Sequence, residues 1–312
     1  MAVDTIVVHA SCVDGFLSEL ILREAYPEAK VIRAQYDALG KLEPSPNMLF
    51  CDIAPPGPVA SKFFDVGAVV LDHHKSAAPI FALPNARGEY AATPGVSGAV
   101  LAFRHTLAAG RPPEHSATLA KVVELVGIYD TWVESSPYFE RACAAHAVLD
   151  LYKGDPDAFS TKTIASQWAS HEQLGRLLFL RTVDTAKSVA KRAVVKRLTI
   201  EGRELRVGCL TDSVSTAVLN QAAQYVDADV VLSAFLPNVD PSMAPEDGLH
   251  VEPSGGDVRA SLRSRDPSID CAALAQRLGG GGHGGAAGFG VPRYGLVMRP
   301  VQRALDELAK LE

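Results

Sequence analysis

Apolar positions in the first 130 residues fall into short uninterrupted runs rather than an alternating pattern. Thr5–His9 (TIVVH) is rich in β-branched residues, and Val31–Tyr36, Met48–Cys51 and Gly67–Leu71 (GAVVL) are further runs of this kind. Phe16–Ala25, between the first two, carries helical spacing instead. Continuous apolar strands separated by crossovers predict a parallel sheet covered on both faces. Pro44, Pro46, Pro55, Pro56 and Pro58 punctuate the connections. Ser97–Leu107 and Ala117–Ile128 show the helical period again, and Ser97, after Pro94–Gly95, is placed to cap the first of them.

Glu172–Arg197 reads as one long helix with a basic, amphipathic end (KSVAKRAVVKR), connecting two domains. Beyond it, strands are expected at Leu205–Leu210, Val230–Phe235 and Val258–Leu262, and helices at Thr216–Tyr225 and Ala272–Leu278. Pro237–Gly256, with four prolines and three glycines, reads as a loop or irregular hairpin, and Ser135–Gln173 matches no specific pattern. The fold class is therefore α/β: an N-terminal parallel-sheet domain over residues 1–190, joined by a helical linker to a smaller α/β domain over residues 198–312.

Composition narrows the function classes. With 312 residues, 47% of them hydrophobic, the chain has core enough for roughly two domains. Thirty basic against 36 acidic residues give a net charge of -6, so duplex DNA is not an expected partner. No apolar run approaches the roughly 18 residues of a membrane span, and the start MAVDTIVVHA lacks the basic region of a signal peptide. Cys12, Cys51, Cys143, Cys209 and Cys271 form no CxxC pair. The expectation is a reducing cytoplasm, with neither a disulfide framework nor a zinc ribbon.

Three of the predicted strands run into residues unsuited to a core: His9, Cys12 and Asp14 after the first, Asp52 after the third, and Asp72-His73-His74 after the fourth. Asp130, after the helix ending in Ile128-Tyr129, is a fourth candidate. A single Asp at a strand end is ordinarily a turn or cap residue; the coincidence of all four positions is what points to a site. Open parallel sheets bind ligands at the carboxyl ends of their strands, which gathers these residues. Carboxylates with imidazoles suit Mn²⁺, Mg²⁺ or Zn²⁺. Several carboxylates in one crevice repel each other unless cations neutralise them, which argues for two metals about 3.5–4 Å apart.

A second cluster is the run GGGGHGGAAGF (279–289), preceded by VRASLRSR (258–265). Glycines let a backbone approach an anion closely and present its amides. His283 beside Arg263 would clamp a phosphate or a nucleobase edge.

Together these segments resemble the DHH phosphoesterase superfamily in its two-domain form with a C-terminal DHHA1 domain. The matching pieces are VVHASCVDGF (7–16), FCDIAP (50–55), VVLDHHKS (69–76), VSGA (96–99), IYDTW (128–132), SLRS (261–264) and the glycine-His run, in the family's order. The family includes nanoRNase and oligoribonuclease-like phosphodiesterases and RecJ-like exonucleases; family II inorganic pyrophosphatases share only the first half. The resemblance implies that His9 and Asp52 hold one metal, and Asp14, Asp52, His73 and Asp130 the other, with Asp52 as the bridge. It implies Asp72 as the residue orienting His73 and His74 as the one meeting the scissile phosphate. Arg263, Ser264, Gly280, Gly281 and His283 would grip the nucleotide from the second domain, which would close over it about the helical connector.

Two positions depart from the family pattern. Many members carry a further Asp between the first His and the Asp-Gly pair, where this chain has Ala10-Ser11-Cys12-Val13. Either Cys12 supplies a thiolate or water fills the place, and the first metal site becomes weaker or more tolerant of zinc. Gly284 stands where the family often has proline.

The expected activity is hydrolysis of short single-stranded oligonucleotides or small nucleotides by a hydroxide activated by two divalent ions, Mn²⁺ foremost. The shortage of aromatic residues disfavours a long stacking track, hence short substrates. Alternatives are a phosphatase on polyphosphate, pyrophosphate or phosphoadenosine phosphate, and a nucleotide-sensing module without turnover. Self-association into a homo-oligomer is left open by the sequence.

Overall fold

The computed structural model describes residues 2–10, 12–210, 214–235, 258–291 and 300–311. It divides into two compact units, Met1–Leu180 and Arg181–Glu312. In the first, β1 (Thr5–His9) leads through α1 (Val13–Ala25) to β2 (Lys30–Ala34), and a short α2 (Tyr36–Leu39) precedes β3 (Met48–Cys51). Next come α3 (Gly57–Asp65), β4 (Val69–Asp72) and β5 (Gly88–Tyr90), followed by the helices α4 (Gly98–Ala108) and α5 (Ser116–Asp130). The five strands form one all-parallel sheet in the order β2-β1-β3-β4-β5.

Alternate residues of each central strand feed different cores, as a sheet covered on both faces requires. Ile6, Val8, Leu49, Cys51, Val69 and Leu71 pack with α1, α4 and α5, while Val7, Phe50 and Val70 pack with Phe63 and Phe64 of α3. The stretch that showed no sequence pattern is helical: α6 (Phe139–Tyr152), α7 (Thr161–Ser166) and the start of α8 (Trp168–Ala190). Its buried side chains, among them Cys143, Val148, Leu149 and Ile164, extend the first core. Trp132 meets Phe139 at 4.9 Å between ring centroids, a packing contact.

In the second unit β6 (Val194–Ile200), β7 (Arg203–Cys209), α9 (Thr216–Ala222), β8 (Val230–Phe235) and β9 (Val258–Arg263) are followed by α10 (Cys271–Arg277), β10 (Gly281–His283), β11 (Ala286–Val291) and α11 (Pro300–Leu308). The six strands form a mixed sheet, order β10-β11-β9-β8-β7-β6, in which only β7 and β8 pair in parallel. Two departures from the expected elements stand out. The helix expected over 172–197 ends at Ala190, and Val194–Ile200 is a strand instead. The β-branched Val194, Val195, Thr199 and Ile200 favour a strand, and Glu201 and Gly202, both at positive φ (52° and 71°), turn it back onto β7. The glycine run, where no strand was expected, supplies the edge strand β10 and part of β11. The expected irregular segment at 237–256 lies outside the described residues.

Candidate metal centre

The order β2-β1-β3-β4-β5 reverses direction between β1 and β3. A crevice opens at the carboxyl ends of such a pair, and side chains leaving the two strands there face it together. His9 is the last residue of β1, and Asp52 follows β3 directly. Asp52 takes a left-handed backbone conformation (φ 60°) while its amide donates to the Leu71 carbonyl at 3.0 Å. A left-handed residue in this place is backbone strain held by its surroundings, which is common at functional sites. Asp72 closes β4, His73 and His74 come next, and Asp130 is the last residue of α5.

Asp52 is the hub. Its Oδ2 lies 3.5 Å from His9 Nδ1 and accepts from Cys12 Sγ at 3.0 Å; its Oδ1 lies 3.1 Å from His73 Nε2 and 3.9 Å from His74 Nδ1. The same His73 Nε2 is 3.6 Å from Asp14 Oδ2 and 3.4 Å from Asp130 Oδ2. Three carboxylates thus converge on one imidazole nitrogen. Asp14, Asp52, Asp72 and His73 are all nearly fully buried.

Asp14 reached this position from α1, but its bonds run to α4. Its Oδ1 accepts from Ser97 Oγ (2.5 Å) and the Ala99 amide (2.9 Å), and its Oδ2 from the Gly98 amide (2.6 Å). Ser97 occupies the N-cap position of α4 as expected, yet its side chain caps nothing. Asp14 satisfies the helix's first amides in its place, which is also the favoured end for a negative charge. Asp72 likewise differs from the role the resemblance implied. Its Oδ1 accepts from the backbone amides of His73 (2.7 Å) and His74 (2.9 Å) and contacts His74 Nδ1 at 2.8 Å, so the ring it orients is that of His74.

Burial, with Asp52 and Asp130 nearby, pushes the Asp14 carboxyl well above the usual range. Burial alone would favour a neutral His73, but its bond to Asp52 and the charges of Asp130 and Asp14 outweigh that and lift the ring to about 10. His73 and His9 in turn hold Asp52 well down against the effect of burial. Burial and the same carboxylates push the Cys12 thiol far up, consistent with its donating to Asp52. Such a centre is arranged for positive charge. Two trios, His9–Cys12–Asp52 and Asp14–Asp52–His73, each offer ligand atoms within 4.8 Å of one another. Cis ligands about 2.1 Å from one ion stand about 3 Å apart, so the donor set and its spacing fit divalent cations.

A pH dependence follows. His73 must lose its proton to ligate a metal, and in the metal-free protein it holds that proton up to about pH 10. Mn²⁺ affinity is therefore expected to rise by up to about tenfold per pH unit between about pH 6 and 9, with protons released on binding. Calorimetric titration in two buffers of different ionisation enthalpy measures both; a pH-independent affinity without proton release removes His73 from the ligand set.

Within the second unit, the expected substrate-binding residues fall around β9 and the β10–β11 hairpin. Arg263 closes β9, opposite Ala286 of β11; its Nε donates to Asn220 Oδ1 and its guanidinium also to the Leu262 carbonyl at 2.7 Å. Ser264 Oγ donates to the Asp229 carbonyl at 2.7 Å and accepts from the Asp266 amide at 3.1 Å, so its proton is committed to a turn. Gly280 precedes β10, Gly281 opens it and His283 ends it, paired with Ala286. Gly282 has φ 143°, and a Cβ there would stand 2.5 Å from the Ala286 carbonyl oxygen, so the hairpin requires glycine.

Tyr36 is a neighbour of the centre that carries no signal in the sequence. The apolar pattern absorbs it into the second strand, whereas the chain leaves the sheet at Ala34 and Tyr36 opens α2 with its ring 5.3 Å from that of His9.

No family model matches the sequence, and no curated protein matches it either. Structural comparison finds a DHH domain from a protein described as belonging to a family of ribosomal proteins, at 12% identity over 100% of this chain and 88% of that one, with a TM-score of 0.54. RecJ from Thermus thermophilus, solved in complex with Mn²⁺, matches at 15% identity over 98% of this chain and 52% of its own, with a TM-score of 0.51. A pGpG-specific phosphodiesterase from Vibrio cholerae aligns at 12% identity over 92% of this chain and 93% of its own, with a TM-score of 0.44. The chain has the fold of the two solved structures with a TM-score above 0.5, the DHH-domain protein and RecJ.

Proposed function

We propose that the protein is a divalent-metal-dependent phosphoesterase acting on short oligonucleotides or small nucleotides. The observation that carries this reading is the convergence of Asp14, Asp52 and Asp130 on His73 Nε2 at the sheet's switch point, with His9 and Cys12 on the far side of Asp52. We assign Asp14, Asp52, His73 and Asp130 to one ion and His9 and Asp52 to a second, with the Cys12 thiol next to it. Mn²⁺ suits the mixed oxygen and nitrogen donors, and the RecJ structure of the same fold was solved with that ion. Divalent ions in this place lower the pKa of water and offset phosphoryl charge.

The side chains do the rest. Asp72 Oδ1 fixes one tautomer of His74 by engaging Nδ1, so Nε2 is the nitrogen that exchanges a proton with the substrate. Asp72 takes no part except through that ring and the two backbone amides it holds. In the second unit we assign the nucleotide grip to Arg263, Gly280, Gly281 and His283, with Ser264 holding the turn that presents Arg263.

A length series tests the reading. The Mn²⁺-loaded protein is expected to cleave dinucleotides and trinucleotides faster than long single strands, because 21 aromatic (Phe, Trp, Tyr) residues in 312 and a net charge of -6 provide little for a stacking track. Faster digestion of long strands overturns the substrate class. Pyrophosphate or polyphosphate as the only substrate moves the protein to phosphatase chemistry, and a protein that takes up no metal and releases nothing from any of these compounds is not a phosphoesterase.

A further inference from the structure

Tyr36 stands where the site's geometry leaves a role open. Its ring is tilted 54° against that of His9 at 5.3 Å and meets the edge of His74 at 6.3 Å and 87°. His9 and His74 are themselves 6.4 Å apart at 89°, so the three rings form a triangle. One corner belongs to the metal-binding set, one to the histidine proposed to meet the phosphate, and the third is a phenol.

The hydroxyl of Tyr36 forms no hydrogen bond among the described residues, and the residue keeps 48% of its surface in solvent. A tyrosine serving only to fill space is ordinarily buried, with its hydroxyl bonded. A phenol keeps its proton at neutral pH and is therefore a neutral donor there. The carboxylates around it are acceptors, and bound cations engage them. A neutral O–H beside them is of the type that bonds an anionic oxygen brought in by a substrate.

We propose that Tyr36 is a substrate-binding residue: its hydroxyl donates to a non-bridging oxygen of the phosphoryl group, and the rings of His9 and His74 hold it in place. This rests on the phosphoesterase reading and adds to it a donor from β2's end of the sheet. A hydrogen bond to a charged acceptor leads to an expected fall in kcat/KM of about 10- to 100-fold in Tyr36→Phe. Metal content is unchanged in that variant, because the ring that packs against His9 remains.

The test pairs turnover with a readout that needs none: broadening of the ³¹P resonance of inorganic phosphate by the Mn²⁺-loaded protein, in wild type, Tyr36→Phe and Tyr36→Ala. The inference expects phosphate affinity and kcat/KM to fall together in Tyr36→Phe at full metal occupancy. Wild-type values of both in Tyr36→Phe, with losses only in Tyr36→Ala, make Tyr36 a brace for the histidines and overturn it. If the wild-type protein binds Mn²⁺ but neither broadens phosphate nor cleaves any phosphorylated compound, the phosphoesterase reading fails and takes this inference with it.

Discussion

Asp52→Asn is expected to empty the centre of metal and to lower hydrolysis on the order of a thousandfold, about 4 kcal/mol of lost transition-state stabilisation. Asp52 ties four side chains of the site together: His9 and Cys12 meet its Oδ2, while His73 and His74 meet its Oδ1. Asparagine keeps the volume and tolerates the left-handed backbone at φ 60°, so the fold has no reason to fail. What changes is the charge that holds His9 and His73 and, on the proposed reading, a cation in one place. Metal stoichiometry by mass spectrometry, alongside circular dichroism, separates the effects. A folded Asp52→Asn protein with two ions and wild-type turnover places the centre elsewhere.

The second large effect comes from a residue with no chemistry of its own. A Cβ on Gly98 would lie 2.5 Å from Asp52 Cβ and 2.8 Å from Asp14 Oδ2. Both neighbours belong to the centre, and neither is the free end of a flexible side chain, since Asp14 is fixed by three donors from Ser97, Gly98 and Ala99. Gly98→Ala therefore displaces Asp14 and Asp52, the proposed ligands, rather than solvent. Overpacking of this kind costs about 1–3 kcal/mol of stability, and an ångström of misplacement at reacting groups costs about a hundredfold in rate. Thermal unfolding and kcat/KM report the two losses. Gly40→Ala is the control: nothing lies within 4 Å of a Cβ there and its φ of -65° suits any residue, so it is expected to leave both unchanged. Equal behaviour of the two variants removes the proposed crowding.

The strands of the first unit were legible because their interior residues are apolar on both faces, a pattern that few other elements produce. Their ends were legible for the opposite reason: His9, Asp52 and Asp72-His73-His74 break an apolar run where burial would otherwise exclude charge. The sequence could not show which partner each side chain takes. Ser97 has the identity of a cap, but a carboxylate 83 residues earlier in the chain displaces it, and that exchange exists only once α1 and α4 are packed. Asp72 turned toward His74 rather than His73 for a similar reason, through the path of the backbone after β4. In the second unit the glycine run hid a hairpin, because glycine has no strand preference and the pairing of β11 with β9 supplies what propensity does not. Val194–Ile200 follows a basic helical stretch and carries Lys196 and Arg197, so it passes as the helix's end, although its β-branched residues and its hairpin partner β7 make a strand of it.

The residues around His73 come from the ends of β3 and β4 and from α1 and α5, segments far apart along the chain. None of these pairs is local, so no fragment of the first unit presents the ligand set before the parallel sheet and its covering helices have docked. On the proposed metal reading, an ion arriving during synthesis would find nothing to bind until that late stage, and parallel pairings are slow to reach it. Its effect on folding would then be one-sided: it would leave the rate of assembly alone and slow the reverse step, a latch on the finished domain rather than a seed for it.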